Sequence, residues 1–183
     1  VDPIGAKKLL LRGVKFIFFI VFPLVFLIIT FAYYGMNLWL GENFAIHSSV
    51  VLQFLSIGIF MNSLSMIPDS FFQGIGKPKI PTLIMLIELP FYLSIMWFMI
   101  KTQGIVGGAI VFMVAATINT TVMFFIAYKK FGIKFNSKSI IVSLVLVSFS
   151  LYPAFIVNHL IPKLILSLLF VLIFILVIWK LLL

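Results

Sequence analysis

Hydrophobic residues in this chain form six long runs that alternate with short polar connections. The runs cover about residues 14–39, 48–72, 81–100, 105–127, 139–157 and 164–183. A helix needs about 20 mostly apolar residues to cross the hydrocarbon core of a membrane. Strands of a membrane barrel alternate in polarity, whereas these runs are continuously apolar. The pattern therefore predicts an all-α, polytopic membrane protein with six transmembrane helices.

The basic residues lie on alternate connections. Eleven of the thirteen Lys and Arg residues fall before or at the start of the first run, between the second and third, between the fourth and fifth, or at the end of the sixth. The other connections carry only Lys101 and Lys163. This is the positive-inside pattern of a multi-pass membrane protein. It predicts that both termini are cytoplasmic and that the connections at 40–47, 101–104 and 158–163 face outward.

Composition supports a membrane protein and gives no sign of catalysis. Hydrophobic residues make up 64% and charged residues 9%, whereas about a quarter of a soluble domain is charged. Basic residues at the ends of the spans account for the net charge of +9. They form no basic stripe of the kind that follows nucleic-acid phosphates, so we expect no nucleic-acid partner. The chain lacks cysteine, and His47 and His159 stand without a second ligand. We predict no enzyme activity, no metal site and no cofactor.

A polar stripe marks the second run. Gly58, Asn62, Ser65 and Asp69 recur at spacings of four, three and four residues, which places them on one helical face. Such a face is costly in lipid and should meet protein or water. Contact between helices is the favoured interpretation, and the lining of a cavity remains the alternative.

Glu88 lies within the third run, just before Pro90 and among apolar neighbours. Carboxylates inside membranes are costly and often functional. Asp69 is expected at a comparable depth, and two adjacent carboxylates would suit a proton-coupled site. The alternative, which we favour, is a structural ion pair in which Lys77 and Lys79 reach from the intervening turn to neutralise both acids.

The fourth run begins with a GxxxG spacing at Gly104 and Gly108, and Gly108, Ala115 and Asn119 share a face. Packing within the helix bundle is the expected meaning. The nearby threonines are expected only to return their hydroxyl groups to backbone carbonyls; they are Thr117, Thr120 and Thr121. Three prolines lie inside runs and are expected to kink their helices, namely Pro23, Pro90 and Pro153.

Three segments resemble a known family. The run PDSFFQGIGKPKIP at residues 68–81, followed by LIELP at 86–90 and KTQGIVGGAI at 101–110, resembles bacterial oligosaccharide flippases of the polysaccharide-transporter family. The resemblance covers about residues 10–135, whereas residues 139–183 match only in being hydrophobic. The hairpin residues that match the pattern are expected to be structural; they are Gln73, Gly74, Gly76, Lys77 and Pro78.

The resemblance implies an exporter fold of two six-helix lobes, often followed by two extra helices. Residues 1–135 would supply four helices of the second lobe, and residues 136–183 the final pair. The chain opens at Val1 without Met and ends inside an apolar run, so we expect part of a longer protein whose N-terminal lobe is its partner.

The implied function is to flip a lipid-linked oligosaccharide across the bacterial inner membrane by alternating access, during the biosynthesis of cell-surface polysaccharide such as O-antigen. Candidate residues for substrate binding or coupling are Asn62, Asp69, Glu88 and Asn119. Two alternatives remain open. One is an H⁺- or Na⁺-coupled exporter of small molecules or drugs from the same superfamily, and the other is a non-transporting membrane subunit.

Overall fold

Three long helices form most of the described structure. The computed structural model describes residues 3–132, 164–172 and 174, and these residues contain no strand. The helices are α1 (Pro3–Leu40), α2 (Glu42–Gly74) and α3 (Lys79–Phe131), and residues 164–172 and 174 are also helical. Each of the three is long and apolar enough to cross a membrane. Helices suit such a sequence because they satisfy their own backbone groups where water is absent.

The two C-terminal predicted spans fall largely beyond this part of the chain. The predicted fifth helix, 139–157, lies outside the described residues, and the sixth is described only at residues 164–172 and 174. The division at residues 135 and 136 therefore stays a prediction.

Helix α3 is folded back on itself at Gly104. The backbone there has φ 62° and ψ −144°, a conformation that glycine adopts far more readily than other residues. We call residues 79–103 the first arm and residues 105–131 the second arm. Glu88 and Asn119 form a hydrogen bond across 31 residues of sequence, although a straight helix would hold them about 46 Å apart. The arms therefore form an antiparallel hairpin, which corresponds to the predicted helices at 81–100 and 105–127.

The turns between helices are shorter than the hydrophobic pattern indicates. Gly41, with φ 86°, is the only residue between α1 and α2, so the predicted connection at 40–47 is wrong in extent because residues 42–47 are helical. Helix α1 likewise begins at Pro3 rather than near residue 14. Hydropathy marks where apolar sequence ends, whereas a helix can continue into the polar interface.

The turn between α2 and α3 spans residues 75–78. Gly76 has φ 73°, and the Lys77 N–H donates to the carbonyl of Phe72 at 2.8 Å. The chain continues as a helix through Pro23 and Pro90, while Pro153 lies outside the described residues.

A phenylalanine cluster joins α1, α2 and the segment at residues 164–174. The Phe22 ring lies 5.7 Å from Phe60 of α2 and 5.3 Å from Phe174, between ring centroids. Phe26 lies 4.6 Å from Phe170 in the same way. Closer to the Gly41 turn of the same helix pair, Gln53 donates from Nε2 to the carbonyl of Ile29 at 3.1 Å. Helices α1 and α2 thus pack antiparallel, and the C-terminal segment lies against α1.

Helix α2 packs against the second arm through a glycine. A Cβ added at Gly58 would lie 2.5 Å from the Phe112 ring and 3.2 Å from the Cα of Met113. Near the basic ends of the same two helices, the Phe72 and Phe131 ring centroids are 5.6 Å apart. The two segments run parallel, and the glycine allows their backbones to approach closely.

The glycines at the start of the second arm pack against the first arm, which agrees with the predicted packing within the helix bundle. Gly104 forms the turn, and Gly108 has room for a side chain at ordinary contact distances from Ile100 and Met96. Gly107 makes the close approach, because a Cβ there would collide with the backbone carbonyl of Met99. The glycines therefore allow the two arms of α3 to pack closely beside the turn.

Replacing Gly58 with alanine should destabilise the bundle. The added methyl group overfills the contact with Phe112 and Met113, and overpacking of this kind costs about 1–3 kcal/mol. The change should appear as a lower unfolding midpoint in detergent micelles. Gly35→Ala is the matched control, since nothing lies within 4 Å of a Cβ there. An equal midpoint for both variants would contradict the close approach of α2 and the second arm.

A candidate polar site between the two arms of α3

Glu88 and Asn119 meet near the middle of the hairpin. The Asn119 amide donates from Nδ2 to Glu88 Oε2 at 2.9 Å, and both side chains are half-buried. Along the first arm, Glu88 is about 14 Å from Lys79 and about 20 Å from Lys101. The two lysines are thus about 33 Å apart, close to the roughly 30 Å thickness of the hydrocarbon core. The hydrogen bond lies near the middle of the first arm, far from either lysine.

The pair lies in a groove of about 560 Å³ between the two arms. Apart from Glu88, Asn119 and Tyr92, the lining side chains are apolar, among them Ile95 and Ile118. A carboxylate in such surroundings loses most of its hydration, and a donor such as the Asn119 amide offsets part of that cost. No lysine or arginine belongs to the lining. The polar groups along the groove are therefore one carboxylate, one amide and one phenol.

The predicted ion pair between the carboxylates and the turn lysines does not form within the described residues. Lys77 Nζ lies 4.9 Å from the centroid of the Phe131 ring, and Glu88 is occupied by Asn119. The reason is distance, because even Lys79 begins about 14 Å of helix away from Glu88. The expectation rested on closeness in sequence, and the hairpin provides a nearer partner from the other arm.

The other two candidate residues have separate surroundings. Asp69 is half-buried on α2 and accepts a hydrogen bond from Gln73 Nε2, one turn along the same helix, at 3.2 Å. Asn62 is exposed, whereas Gly58 and Ser65 of the same stripe are buried. The predicted contact with protein is therefore found at Gly58 and Ser65 but not at Asn62. The structure joins Glu88 to Asn119 and gives Asp69 a partner of its own.

Thr120 is a residue whose role the sequence analysis missed. Its hydroxyl lies 2.7 Å from the carbonyl of Met61 on α2 and 2.7 Å from that of Ala116 in its own helix. The side chain is only 4% exposed. The expectation of bonding within one helix holds for Thr117 and Thr121. The only sequence signal for Thr120 is its place one turn after the small residue Ala116.

The hairpin residues and the histidines occupy the ends of the helices. Gln73 and Gly74 end α2, and Pro78 precedes the first residue of α3. His47 Nδ1 lies 3.1 Å from the carbonyl of Asn43, and His159 lies outside the described residues. Among the residues that the structure describes, no group of three or more His, Cys, Asp or Glu could hold a metal ion.

These features define a multi-pass helical membrane protein. Two known proteins are similar to it. A Shigella flexneri protein named "Putative O-antigen transporter" is 36% identical over 104 residues, which are 57% of this chain and 25% of that protein. An uncharacterized membrane protein of Methanocaldococcus jannaschii is 29% identical over 168 residues, 90% of this chain and 33% of that protein.

The chain thus spans a quarter to a third of the length of these relatives. No family model matches it, and no solved structure matches it significantly.

The hydrogen bond between Glu88 and Asn119 should appear as an energetic coupling. Asn119→Leu leaves a half-buried carboxylate without its donor and should destabilise the protein by about 1–3 kcal/mol. Adding Glu88→Leu should recover part of this loss, with a coupling of about 0.6 kcal/mol, the average for such bonds in a membrane protein, and at most about 1.7 kcal/mol. Unfolding of the single and double variants in micelles measures the cycle.

Glu42 provides the control for that cycle. It is exposed at the start of α2, about 28 Å of helix from Met61, which lies beside the second arm. Glu42→Leu should therefore combine additively with Asn119→Leu. Additive energies for Glu88 and Asn119 as well would contradict the bond.

Proposed function

We propose that this chain forms part of a membrane transporter that moves a lipid-linked oligosaccharide from the cytoplasmic to the outer leaflet of a bacterial inner membrane. The single observation that supports this most is the 36% identity to the Shigella flexneri protein over 104 residues. A transporter of this kind serves cell-surface polysaccharide biosynthesis and makes no covalent bond. We therefore assign the chain no enzymatic role.

The proposed topology has six spans with both termini in the cytoplasm. Lys79 at one end of the first arm would lie at the cytoplasmic face, and the Gly104 turn at the outer face. The charge distribution supports this orientation. Basic side chains near the cytoplasmic ends, among them Lys129 and Lys130 in the last turn of α3, could attract the diphosphate of the substrate.

Within such a transporter, the Glu88 site would not hold the diphosphate. A carboxylate repels a phosphate anion, and the groove lining carries no cation to offset that repulsion. The carboxylate and the Asn119 amide suit sugar hydroxyls, which both donate and accept hydrogen bonds. The cations required at membrane depth, and the opposite wall of the cavity, would come from an N-terminal lobe of the same protein.

A second candidate function is export of small molecules coupled to H⁺ or Na⁺. The observation that favours it is the carboxylate at mid-membrane depth with no cationic partner among the described residues. Intramembrane carboxylates mark ion and proton pathways in many transporters. In this case Glu88 would be essential, whereas a flippase with its main cations elsewhere would lose less.

Reconstitution of the gene product that contains residues 1–183 tests the proposal. Liposomes carrying it should move a fluorescent lipid-linked oligosaccharide between leaflets, and Glu88→Gln should slow this several-fold because the carboxylate is lost while its shape is kept. Glu42→Gln, outside the groove, is the control and should keep the native rate. Export of an organic cation that Glu88→Gln abolishes, without movement of the oligosaccharide, would favour the second candidate and contradict the first.

Cysteine labelling tests the proposed orientation. Residues 1–183 contain no cysteine, so a cysteine introduced among them has no native competitor in this part of the protein. Thr102→Cys and Lys79→Cys are suitable because both positions are exposed and lie at opposite ends of the first arm. A membrane-impermeant maleimide should label Thr102→Cys in intact cells and Lys79→Cys only after permeabilisation. The reverse pattern would invert the topology.

A further inference from the structure

Three threonines on the second arm form different hydrogen bonds. Thr117 and Thr121 donate to carbonyls one turn back in their own helix, Met113 and Thr117 respectively, each at 2.7 Å. Thr120 has the same option at Ala116, but it also lies 2.7 Å from the Met61 carbonyl on α2. Its hydroxyl group therefore connects two helices, and those of its neighbours do not.

Thr120 directly follows Asn119, the residue that donates to Glu88. Successive residues of a helix point about 100° apart, so the two side chains leave the second arm toward different neighbours. Asn119 points to the first arm and Thr120 to α2. One turn of helix therefore joins three segments through two hydrogen bonds.

A hydrogen bond from Thr120 to α2 opposes rotation of the second arm about its own axis. A side chain about 6 Å from a helix axis moves about 2 Å when the helix rotates by roughly 20°. Such a movement would take the Asn119 amide from 2.9 Å beyond hydrogen-bond range of Glu88. The close packing at Gly58 limits separation of the helices, but a glycine contact alone does not fix rotation.

We propose that Thr120 is a positioning residue for the Glu88 site: its hydroxyl bonds the Met61 carbonyl and thereby aims the Asn119 amide at Glu88. This rests on the proposed function and deepens it, since it identifies how the packing of α2 against the second arm affects the Glu88 site in the groove. The contact itself does not depend on what the protein transports, and it can be tested without a transport assay.

The test measures how fast an apolar carbodiimide modifies Glu88 in native membranes. A carboxyl group held by a hydrogen-bond donor reacts slowly, so Asn119→Leu should raise the rate at Glu88 several-fold. Thr120→Val keeps the shape but removes the hydroxyl, and it should raise the rate at least threefold. Thr120→Ser restores the hydroxyl and should return the native rate. The native Thr117 hydroxyl bonds only its own helix. In the Thr117→Val variant, Glu88 should therefore also react at the native rate.

Asp69 provides an internal control within each sample. The chain has four acidic residues, so mass spectrometry assigns the modified sites, and Glu88→Gln removes the signal of interest. A general loosening of the fold would speed modification at Asp69 as well, whereas a positioning effect is confined to Glu88. If Thr120→Val fails to accumulate, Thr120→Ala replaces it, because it removes the hydroxyl and leaves a smaller side chain at the contact.

Several outcomes would overturn the proposal. One is a native rate of Glu88 modification in Thr120→Val when the rate in Asn119→Leu is raised. Another is an equal increase of that rate in Thr117→Val. The third is a parallel increase of the modification rates at Glu88 and Asp69. Failure of the proposed function has a different signature: the modification rates follow the expected pattern, but no variant or native protein moves the lipid-linked oligosaccharide.

Discussion

The reversal of the backbone at Gly104 is the feature on which the rest of the described structure depends. In hydrocarbon, every backbone N–H and C=O must be bonded within the protein, so a chain can change direction only where a helix ends. Gly104 provides that end with φ 62° and ψ −144°. Without it, α3 would be one rod of 53 residues, about 80 Å long, and Glu88 and Asn119 would never meet.

Once the arms are folded, the polar side chains of the second arm connect it to both neighbours. Asn119 reaches the first arm and Thr120 reaches α2, while small residues such as Gly58 and Gly107 permit the close approach. Packing, polar contacts and glycines thus act together at both interfaces of the second arm. A groove that carries a carboxylate near the middle of the first arm is the consequence, and such a group suits the proposed transporter.

Sequence alone predicts much of the fold and less of the site. Continuous apolar runs locate the helices, and glycine marks the turns, but hydropathy does not show that α2 begins at Glu42, because a helix can extend past the lipid. Glu88 is identifiable as a carboxylate in an apolar run. Its partner is not, since the register between the two arms selects Asn119 from 31 residues away, whereas sequence proximity suggests Lys77 or Lys79. Thr120 looks equivalent to Thr117 until the position of α2 is known.

The distance between the two arms tests this account most directly. Spin labels on Ile84→Cys and Val122→Cys, two positions that line the groove in a chain without native cysteine, can be measured by pulsed electron paramagnetic resonance in lipid. The hairpin predicts a distance set by packed helices about 8–10 Å apart plus the label linkers. A continuous helix would place the two positions about 57 Å apart, and a distance near that value would contradict the hairpin and the site that it creates.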